Sequence, residues 1–248
     1  MKSITLKLKE NLFKLERHPY RIFEEEISRH LQKSHVLLDA GCGREASLLI
    51  RFQGKAKSLI GIDLVEFDAN ARGTDIELLN NDLAQIKLPN GLIDIAISRS
   101  VLEHVEKPLL VYREIFRILK PGGYFIFLAP NLGHYSALIS KLIPNRFHSS
   151  IVLRTEGRRE EDTFPTYYRS NTFQTIRDLA KRTGFELVSF KYPGQHPSYF
   201  MFNPILFLLT AGYEKVVAKF EIFRYLRGWL LVALKKPASD VLIPRTGR

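Results

Sequence analysis

The sequence predicts an α/β fold, with a doubly wound parallel sheet covered by helices on both faces. Two observations predict it: short apolar runs alternate with helical segments along the chain, and Gly and Pro residues mark the boundaries between them. A chain of 248 residues suits one domain of this kind, because a sheet covered on both faces buries a full core at that size. A hydrophobic fraction of 45% and a charged fraction of 25% are typical of a globular protein.

The elements follow in order from the N-terminal region. A helix is predicted over residues 20–31, where Ile and Phe recur near helical spacing. A buried strand that ends in a tight turn is predicted by HVLLDAGCG, and the helix after it by REASLLIRF. Four further strands are predicted by SLIGIDL, IELLNND, LIDIAISRS and GYFIFLAP. Between the last two of these, Pro108 and the turn at 121–123 bracket a helix.

The alternation breaks after Asn131. Two long insertions, at about 131–170 and 192–228, separate the remaining elements. These elements are a helix in NTFQTIRDLAKRT, with Asn171 as its cap and Gly184 as its end, and strands in FELVSFKY and WLLVALKK. Long insertions that follow strand ends are typical of lids and binding loops, so we expect substrate lids here.

The second insertion is rich in Phe, Leu and Tyr, with scattered Lys and Arg. Two interpretations stay open for it. In the first, the segment forms helices that pack over the sheet or make a dimer contact. In the second, it forms an apolar cap that holds a lipid-like acceptor or rests on a membrane surface.

Charge and cysteine content bear on partners and location. A net charge of +11 attracts phosphate-bearing partners. The basic residues are spread along the chain, however, and the sequence contains no recognisable nucleic-acid module. We therefore interpret the charge as favouring solubility and attraction to membrane surfaces over nucleic-acid binding. The single cysteine, Cys42, cannot form an internal disulfide, and the first residues lack a secretory apolar region, which predicts a cytoplasmic protein. The longest apolar run, 199–211, is too short to span a membrane.

The turn after the first strand carries the first candidate site residues. Gly41 and Gly43 let the backbone pass close to a ligand, as in the loose dinucleotide pattern. Asp39 precedes them, and its carboxylate would repel a pyrophosphate but attract an ammonium group. A cationic amino-acid ligand therefore suits this turn better than NAD.

Two further acids end the next strands. Asp63 closes the second strand, where a carboxylate can accept both hydroxyls of a ribose, and Asp82 follows the third, within reach of a purine edge. Each alone is an ordinary cap or turn residue. Together with Asp39, at the carboxyl ends of consecutive strands, they outline a ligand with an amine, a ribose and a base.

The segment from Val36 to Asn131 contains VLLDAGCG, GIDL, NNDLAQIKLPNG and VLEHV, followed by a helix and KPGG. With these motifs it resembles the class I S-adenosylmethionine-dependent methyltransferases of the methyltransferase type 11 group, which includes quinone-biosynthesis enzymes. The resemblance implies a Rossmann-like sheet of seven strands whose last strand is antiparallel, and S-adenosylmethionine as the cofactor. We predict a methyltransferase domain at 35–236, preceded by a helical extension at 1–34 and followed by a flexible tail at 237–248.

The resemblance also implies which residues hold the cofactor. The methionine end is expected on Asp39, Gly41 and Gly43, the ribose on Asp63, and the adenine on Asp82 and Leu83. Cys42 and Leu64, beside these residues in the sequence, are also expected to bind the cofactor. Ser98, Arg99 and Ser100 are expected beneath the sulfonium. Glu45 stands where the family usually has its third glycine. A glutamate in the first turn of a helix interacts favourably with the helix dipole.

Methyl transfer mainly requires that the acceptor atom be positioned in line with the methyl group in a pocket that excludes water, because the methyl carbon is already activated by the positive sulfur. A hydroxyl nucleophile still gains from a base. His104 is the first candidate, since it follows the fourth strand, and His134 and Tyr135, after the fifth, are the next; each is otherwise a packing residue. The acidic run at 160–162 lacks metal-ligand spacing, so no metal is predicted.

Several alternatives for the activity stay open. O-methylation of a small-molecule, glycan or lipid acceptor leads, and C-methylation of a quinone or lipid follows. A methyltransferase-like module that binds S-adenosylmethionine or a partner without catalysis is the non-enzymatic alternative. Nucleic-acid methylation is disfavoured because no NPPY-type tetrapeptide and no second cysteine is present. We expect a monomer or a homodimer, and peripheral contact with a membrane stays open as an alternative.

Overall fold

The computed structural model describes residues 2–14, 17–142, 164–194 and 200–238. Its strands are β1 (Val36–Ala40), β2 (Ser58–Asp63), β3 (Ile76–Asn80), β4 (Ile93–Arg99), β5 (Leu119–Pro130), β6 (Glu186–Lys191) and β7 (Trp229–Lys235). Its helices are α1 (Lys2–Leu12), α2 (Pro19–His30), α3 (Ser47–Ile50), α4 (Ala69–Arg72), α5 (Pro108–Ile118), α6 (Tyr135–Leu142), α7 (Phe173–Thr183) and α8 (Pro204–Lys219). Short 3₁₀ turns lie at Leu102–His104 and Glu221–Leu226.

The seven strands form one sheet in the order β3-β2-β1-β4-β5-β7-β6. Strands β1 to β5 pair in parallel, and β7 is antiparallel to both of its neighbours, β5 and β6. The predicted seven-stranded sheet with an antiparallel last strand is confirmed. Because β1 pairs with both β2 and β4, the strand order reverses beside β1, and the loops after β1 and β4 diverge there. A crevice at the carboxyl edge of the sheet follows from this topology.

The core lies on both faces of the sheet. Consecutive residues of β1 show this directly: Leu38 packs into one hydrophobic cluster and Leu37 into the other, and both are fully buried. Side chains alternate between the two faces of a strand, so a strand that is covered on both faces is an uninterrupted apolar run. This is why the central strands could be predicted from short apolar segments.

The ends of α7 correct one prediction. Gly184 ends this helix in the left-handed conformation, as predicted, but the cap is Thr172 and not Asn171. Thr172 accepts from the backbone N–H of Thr175, whose side chain bonds back to the cap, so a capping box forms one residue later. Asn171 instead donates its side-chain N–H to the carbonyl oxygen of Pro130 and ties the helix start to the end of β5.

The predicted domain boundaries stay predictions. The first 34 residues contain α1 and α2, and α1 packs beside α8, where Phe13 meets Phe207 and Ala211. Within the two insertions, 143–163 and 195–199 lie outside the described residues, as does 239–248 of the tail. Among the helices of the described ranges, none combines the length and the apolar character needed to cross a membrane.

Candidate active site

A cavity of about 760 Å³ opens at the carboxyl edge of the sheet, where the strand order reverses. The loops after β1, β2, β3 and β4 all contribute to its wall. Its lining includes most of the residues that the sequence predicts for the cofactor: Gly41, Cys42, Gly43, Asp63, Leu64, Asp82, Leu83, Arg99 and Ser100. A volume of this size falls within the range of cofactor and ligand pockets.

The two glycines of the β1 loop are required for different reasons. Both have positive φ, +90° at Gly41 and +71° at Gly43. A Cβ at Gly41 would lie 2.2 Å from Cγ2 of Val101, in the loop after β4, whereas a Cβ at Gly43 would meet nothing within 4 Å. Gly41 therefore allows two loops of the site to pack together, and Gly43 leaves open space at the cavity wall.

Replacing these glycines by alanine is expected to separate the two requirements. Gly41→Ala adds a steric clash to an unfavourable backbone conformation, and we expect a loss of about 2 to 5 kcal/mol in the free energy of unfolding. Gly43→Ala is expected to lose only about 1 to 2 kcal/mol, from the backbone conformation alone. Urea denaturation measures both, and equal losses at the two positions would contradict the packing role of Gly41.

Asp63 holds the loops together and also faces the cavity. Its Oδ2 accepts from the backbone N–H of Gly43 at 2.8 Å, and its Oδ1 accepts from the backbone N–H groups of Leu64 at 2.7 Å and Val65 at 3.3 Å. The carboxylate thus fixes the β1 loop against the end of β2. Carboxylate oxygens have several lone pairs, so accepting further bonds from ligand hydroxyls is compatible with these contacts.

Asp39 lies beneath the cavity and is not among its lining residues. Its side chain is 2% exposed, and Oδ1 has no hydrogen-bond partner within the described ranges. Burial raises the pKa of Asp39 to about 7; nearby Arg99 opposes this shift, and nearby Asp63 adds to it. A buried carboxyl group with an unused oxygen is a costly arrangement that a cation would relieve.

The third loop carries Asp82 and Leu83 at the cavity wall. Asp82 is exposed, and its Oδ1 accepts from the backbone N–H of Ala84 at 2.8 Å. Leu83 is 9% exposed and packs with the core cluster that contains Ile60. A polar group beside an apolar one suits a flat heterocycle.

Ser98, Arg99 and Ser100, at the end of β4, differ in whether they line the cavity. Ser98 is buried, and its hydroxyl donates to the carbonyl oxygen of Ala40 at 2.8 Å, so it joins β4 to β1 and does not line the cavity. Arg99 lines the cavity, with its guanidinium 4.5 Å from the ring centre of Tyr20. Ser100 also lines it, at φ +56°, with its buried Oγ lacking a partner among the described residues.

Cys42 lines the cavity without being reactive. Burial raises the pKa of its thiol well above the usual range, and the charges of Asp39 and Asp63 add to the shift. The thiolate is the nucleophilic form, so this cysteine stays protonated at neutral pH.

His104 lines the cavity from the 3₁₀ turn after β4. Its Nδ1 lies 3.0 Å from the carbonyl oxygen of Pro165, and its Nε2 lies 4.0 Å from Oε1 of Glu103. A carbonyl oxygen can only accept, so Nδ1 carries the proton and the lone pair of the neutral ring is on Nε2. Phe164 contacts the ring edge-on and lines the cavity with it.

The structure does not bring His134 and Tyr135 to the cavity. His134 is fully buried at the start of α6. Its Nδ1 accepts from the backbone N–H of Ser136 at 3.3 Å, so Nε2 carries the proton and donates to Oε1 of Glu214, 2.8 Å away. Tyr135 is half-buried beside His134 and Tyr213. This cluster joins α6 to α8, and a catalytic role for its members stays an unsupported prediction.

Several residues of the cavity lining were not predicted from the sequence, and two of them come from segments outside the predicted site loops. Tyr20 comes from α2, ahead of the first strand, and Phe164 comes from the first insertion, just after the residues outside the description. Neither stands in a motif, and only the packing of distant segments brings them to the cavity. Among the described residues no three His, Cys, Asp or Glu side chains are grouped to hold a metal ion; the absence of a metal stays a prediction.

Comparison with known proteins places the chain in a family. The methyltransferase domain family model matches residues 14–190, which is more than half of the chain, so the chain belongs to that family. Its fold is that of the class I S-adenosylmethionine-dependent methyltransferases, and a crystal structure of one from Mesorhizobium loti covers 86% of this chain and 97% of its own, with a TM-score of 0.54 and 22% identity. S-adenosylmethionine is the cofactor that this membership implies.

Two relatives by sequence indicate how broad the family is. A protein of Mycolicibacterium smegmatis, named a probable S-adenosylmethionine-dependent methyltransferase, is 29% identical over 165 residues, 61% of each chain. The 24-methylenesterol C-methyltransferase 2 of Oryza sativa subsp. japonica is 27% identical over 185 residues, 69% of this chain and 47% of its own. The chain therefore spans less than two thirds of the length of either relative.

The residues present fit S-adenosylmethionine. The buried Oδ1 of Asp39 and the Oγ of Ser100 are polar atoms that lack partners among the described residues, and the open space beside Gly43 leaves room for a ligand against the backbone. Asp63 and Asp82 face the same cavity. A group that carries an ammonium, a ribose and a purine would use each of these features.

Proposed function

We propose that this chain transfers the methyl group of S-adenosylmethionine to a hydroxyl oxygen of a small-molecule, glycan or lipid acceptor. The observation that carries the proposal is the contact of His104 Nδ1 with the Pro165 carbonyl oxygen, from which the tautomer of the neutral ring is inferred. The Pro165 carbonyl accepts from Nδ1 at 3.0 Å, which leaves a basic nitrogen on a ring that lines the cavity. A base at this place is useful for a hydroxyl acceptor, which must lose its proton as the new bond forms.

Six residues would hold the cofactor. Asp39 and Gly43 would receive the methionine end, Asp63 the ribose hydroxyls, Asp82 and Leu83 the adenine, and Ser100 the region of the sulfur. When bound, S-adenosylmethionine supplies a methyl group on a positively charged sulfur, which leaves as a neutral thioether. The chain itself has only to orient the acceptor in line with that bond and to exclude water.

His104 would take up the proton of the acceptor hydroxyl at Nε2. The imidazolium that results would be stabilised by the Glu103 carboxylate, whose Oε1 lies 4.0 Å from Nε2, and by the Pro165 carbonyl at Nδ1. Phe164 and Val101 line the same cavity and would shield the reacting atoms from water. The base, the charge beside it and the apolar wall together suit deprotonation of a hydroxyl group.

The proposal is tested by following a labelled methyl group. The purified chain is incubated with S-adenosylmethionine carrying a deuterated methyl group and with aqueous and organic extracts of its source, and labelled products are found by mass spectrometry. We expect a product whose label lies on oxygen, as read from the carbon-13 shift of the methyl group. Calorimetric titration with S-adenosylmethionine and with NAD is the control for binding. Binding of the former without any labelled product would favour a non-catalytic binding module.

C-methylation of a quinone or lipid acceptor is the second candidate. The specific observation in its favour is the sequence similarity to the rice sterol C-methyltransferase. The same labelling experiment separates the two, because a methyl group on carbon and one on oxygen differ in carbon-13 shift. A label on carbon would replace the first proposal by this one.

The predictions about location, oligomeric state and nucleic-acid partners also stay proposals. We propose a cytoplasmic protein that acts as a monomer or homodimer and has no nucleic-acid partner. The lack of a recognisable nucleic-acid module in the sequence supports the last of these, and the net charge of +11 favours contact with acidic surfaces.

A further inference from the structure

Helix α8 is apolar on two opposite faces. Its inner face presents Phe207, Ala211 and Val217, which are at most 2% exposed. Phe207 and Ala211 pack against Phe13, and Glu214 on the same face bonds to His134. A single buried stripe of this kind is enough to attach a surface helix, and the opposite face would then be polar.

The outer face of α8 is apolar as well. Ile205 is 71% exposed, Leu209 66%, Leu208 48% and Val216 47%. From Pro204 to Tyr213 the helix contains no charged residue, and the first one, Glu214, points inward. Ile205 and Leu209 are four residues apart, and so are Val216 and Phe220, so these side chains form rows along one side of the helix.

The apolar surface continues beyond both ends of the helix. Phe202 precedes it and is 57% exposed, and the segment after it exposes Phe220, Ile222 (78%) and Phe223. We call these residues together the α8 patch: Phe202, Ile205, Leu208, Leu209, Val216, Phe220, Ile222 and Phe223. Apolar side chains that are grouped in this way on a surface indicate an interaction site, whereas single ones do not.

Basic side chains border the α8 patch. The Lys219 ammonium lies 5.6 Å from the ring centre of Phe220, and the Arg224 guanidinium lies 4.9 Å from that of Tyr225. The segments 2–14 and 200–228, which pack together, contain eight Lys and Arg residues against three Glu. Of these cations, Lys215 donates to the carbonyl oxygen of Leu12, and Arg227 donates to those of Val217 and Ala218. Lys219 and Arg224 are therefore the cations whose contacts place them beside the patch. Glu214 is buried, and Glu221 is paired with Arg227.

We propose that the α8 patch rests on the surface of an anionic membrane. Its apolar side chains would enter the boundary between headgroups and acyl chains, and the bordering Lys and Arg would meet lipid phosphates. This combination of an apolar face with a basic border is the one that a negatively charged bilayer complements. A second copy of the chain fits less well, because a two-fold contact would set the same basic border against itself.

The patch lies near the edge of the sheet that carries the cavity. The side-chain N–H groups of Asn131 donate to the carbonyl oxygens of Tyr225 and Arg227, at 2.8 and 2.7 Å. Asn131 follows the end of β5, and Ser100, which lines the cavity, follows the end of neighbouring β4. The membrane contact is carried by the surface alone and does not depend on which acceptor is methylated.

Vesicle binding tests the proposal. The purified full chain is sedimented with vesicles of phosphatidylcholine alone or mixed with phosphatidylserine, at physiological ionic strength. We expect binding to the mixed vesicles, and we expect Ile205→Glu combined with Leu209→Glu to weaken it at least about tenfold. The matched control combines Leu110→Glu on α5 with Val188→Glu on β6, at residues that are 40% and 50% exposed, and it changes the net charge equally.

The control double variant is expected to bind as the wild type does. Equal weakening by both pairs would show attraction by net charge alone and would overturn the patch as the contact surface. The absence of wild-type binding to mixed vesicles would also overturn it. Light scattering provides a further check: a wild-type dimer that does not bind vesicles and that only the α8 pair dissociates would assign the patch to a second copy. Circular dichroism and S-adenosylmethionine titration establish that each variant is folded.

Discussion

Replacing Asp39 by asparagine is expected to weaken S-adenosylmethionine binding by about two orders of magnitude, because a buried charge-assisted contact is worth about 2 to 4 kcal/mol. The expectation follows from the buried Oδ1 that lacks a partner among the described residues and from the lining of the cavity, which begins two residues later along the chain at Gly41. Asparagine keeps the shape and removes the charge. Isothermal titration calorimetry measures the dissociation constants of the two proteins.

The pH dependence gives a second, independent readout of the same replacement. The pKa of Asp39 is raised to about 7, so its carboxyl group is partly protonated near neutrality. An ammonium group stabilises the ionised form, so binding releases a proton and affinity rises as the pH rises from 6 to about 7.5. Asp39→Asn is expected to abolish this proton release, as measured by calorimetry in buffers of different ionisation enthalpy. Asp82→Asn, at an exposed position, is the control that lowers affinity but keeps the proton release.

The raised pKa of Asp39 also has a consequence for stability. The folded protein holds this proton up to a pH of about 7, whereas an unfolded chain releases it near 3.8. Between these values the unfolded state binds fewer protons, so the free energy of unfolding falls with rising pH, by at most about 1.4 kcal/mol per pH unit for this group. Asp39→Asn lacks this slope. A variant with weakened binding and an unchanged pH slope of stability would contradict an electrostatic role for Asp39.

The sheet could be predicted from the sequence because its central strands are buried on both faces. Runs such as Val36–Ala40 are short, apolar apart from Asp39 and followed by glycine, and few other structures satisfy that pattern. Helix ends were less certain. The cap of α7 was misplaced by one residue, because Asn171 and Thr172 are both good caps and only the contact of Asn171 with Pro130 decides between them.

The sequence predicts which strand ends carry the site residues, but it does not predict which of their side chains point into the cavity. Asp63 and Asp82 reach the cavity because the ends of parallel strands meet at one edge. Ser98 also lies close to the end of its strand, yet its hydroxyl donates to the Ala40 carbonyl and it does not line the cavity. The partner of His134 is Glu214, 80 residues further along the chain. No local pattern contains a contact of that kind.

His104 is the residue on which the chemistry of the proposal depends, so its replacement by glutamine is expected to lower kcat about 10²- to 10⁴-fold, the usual contribution of a general base. Glutamine can still donate toward the Pro165 carbonyl but cannot take up a proton, so the dissociation constant for S-adenosylmethionine is expected to change little. The measurement is initial-rate kinetics on the acceptor that the deuterium-transfer experiment finds. The acid limb of the wild-type pH profile for kcat is expected to disappear in the variant.

His134→Gln is the matched control, since the two histidines follow neighbouring strands, β4 and β5, and only His104 lines the cavity. Its loss removes the buried bond to Glu214 and is expected to lower the free energy of unfolding by about 2 to 4 kcal/mol, with kcat per folded molecule unchanged. If His134→Gln lowered kcat as much as His104→Gln in folded protein, the base would lie outside the cavity. If neither did, the acceptor would need no base, as expected for a carbon nucleophile or for a hydroxyl group that is already ionised.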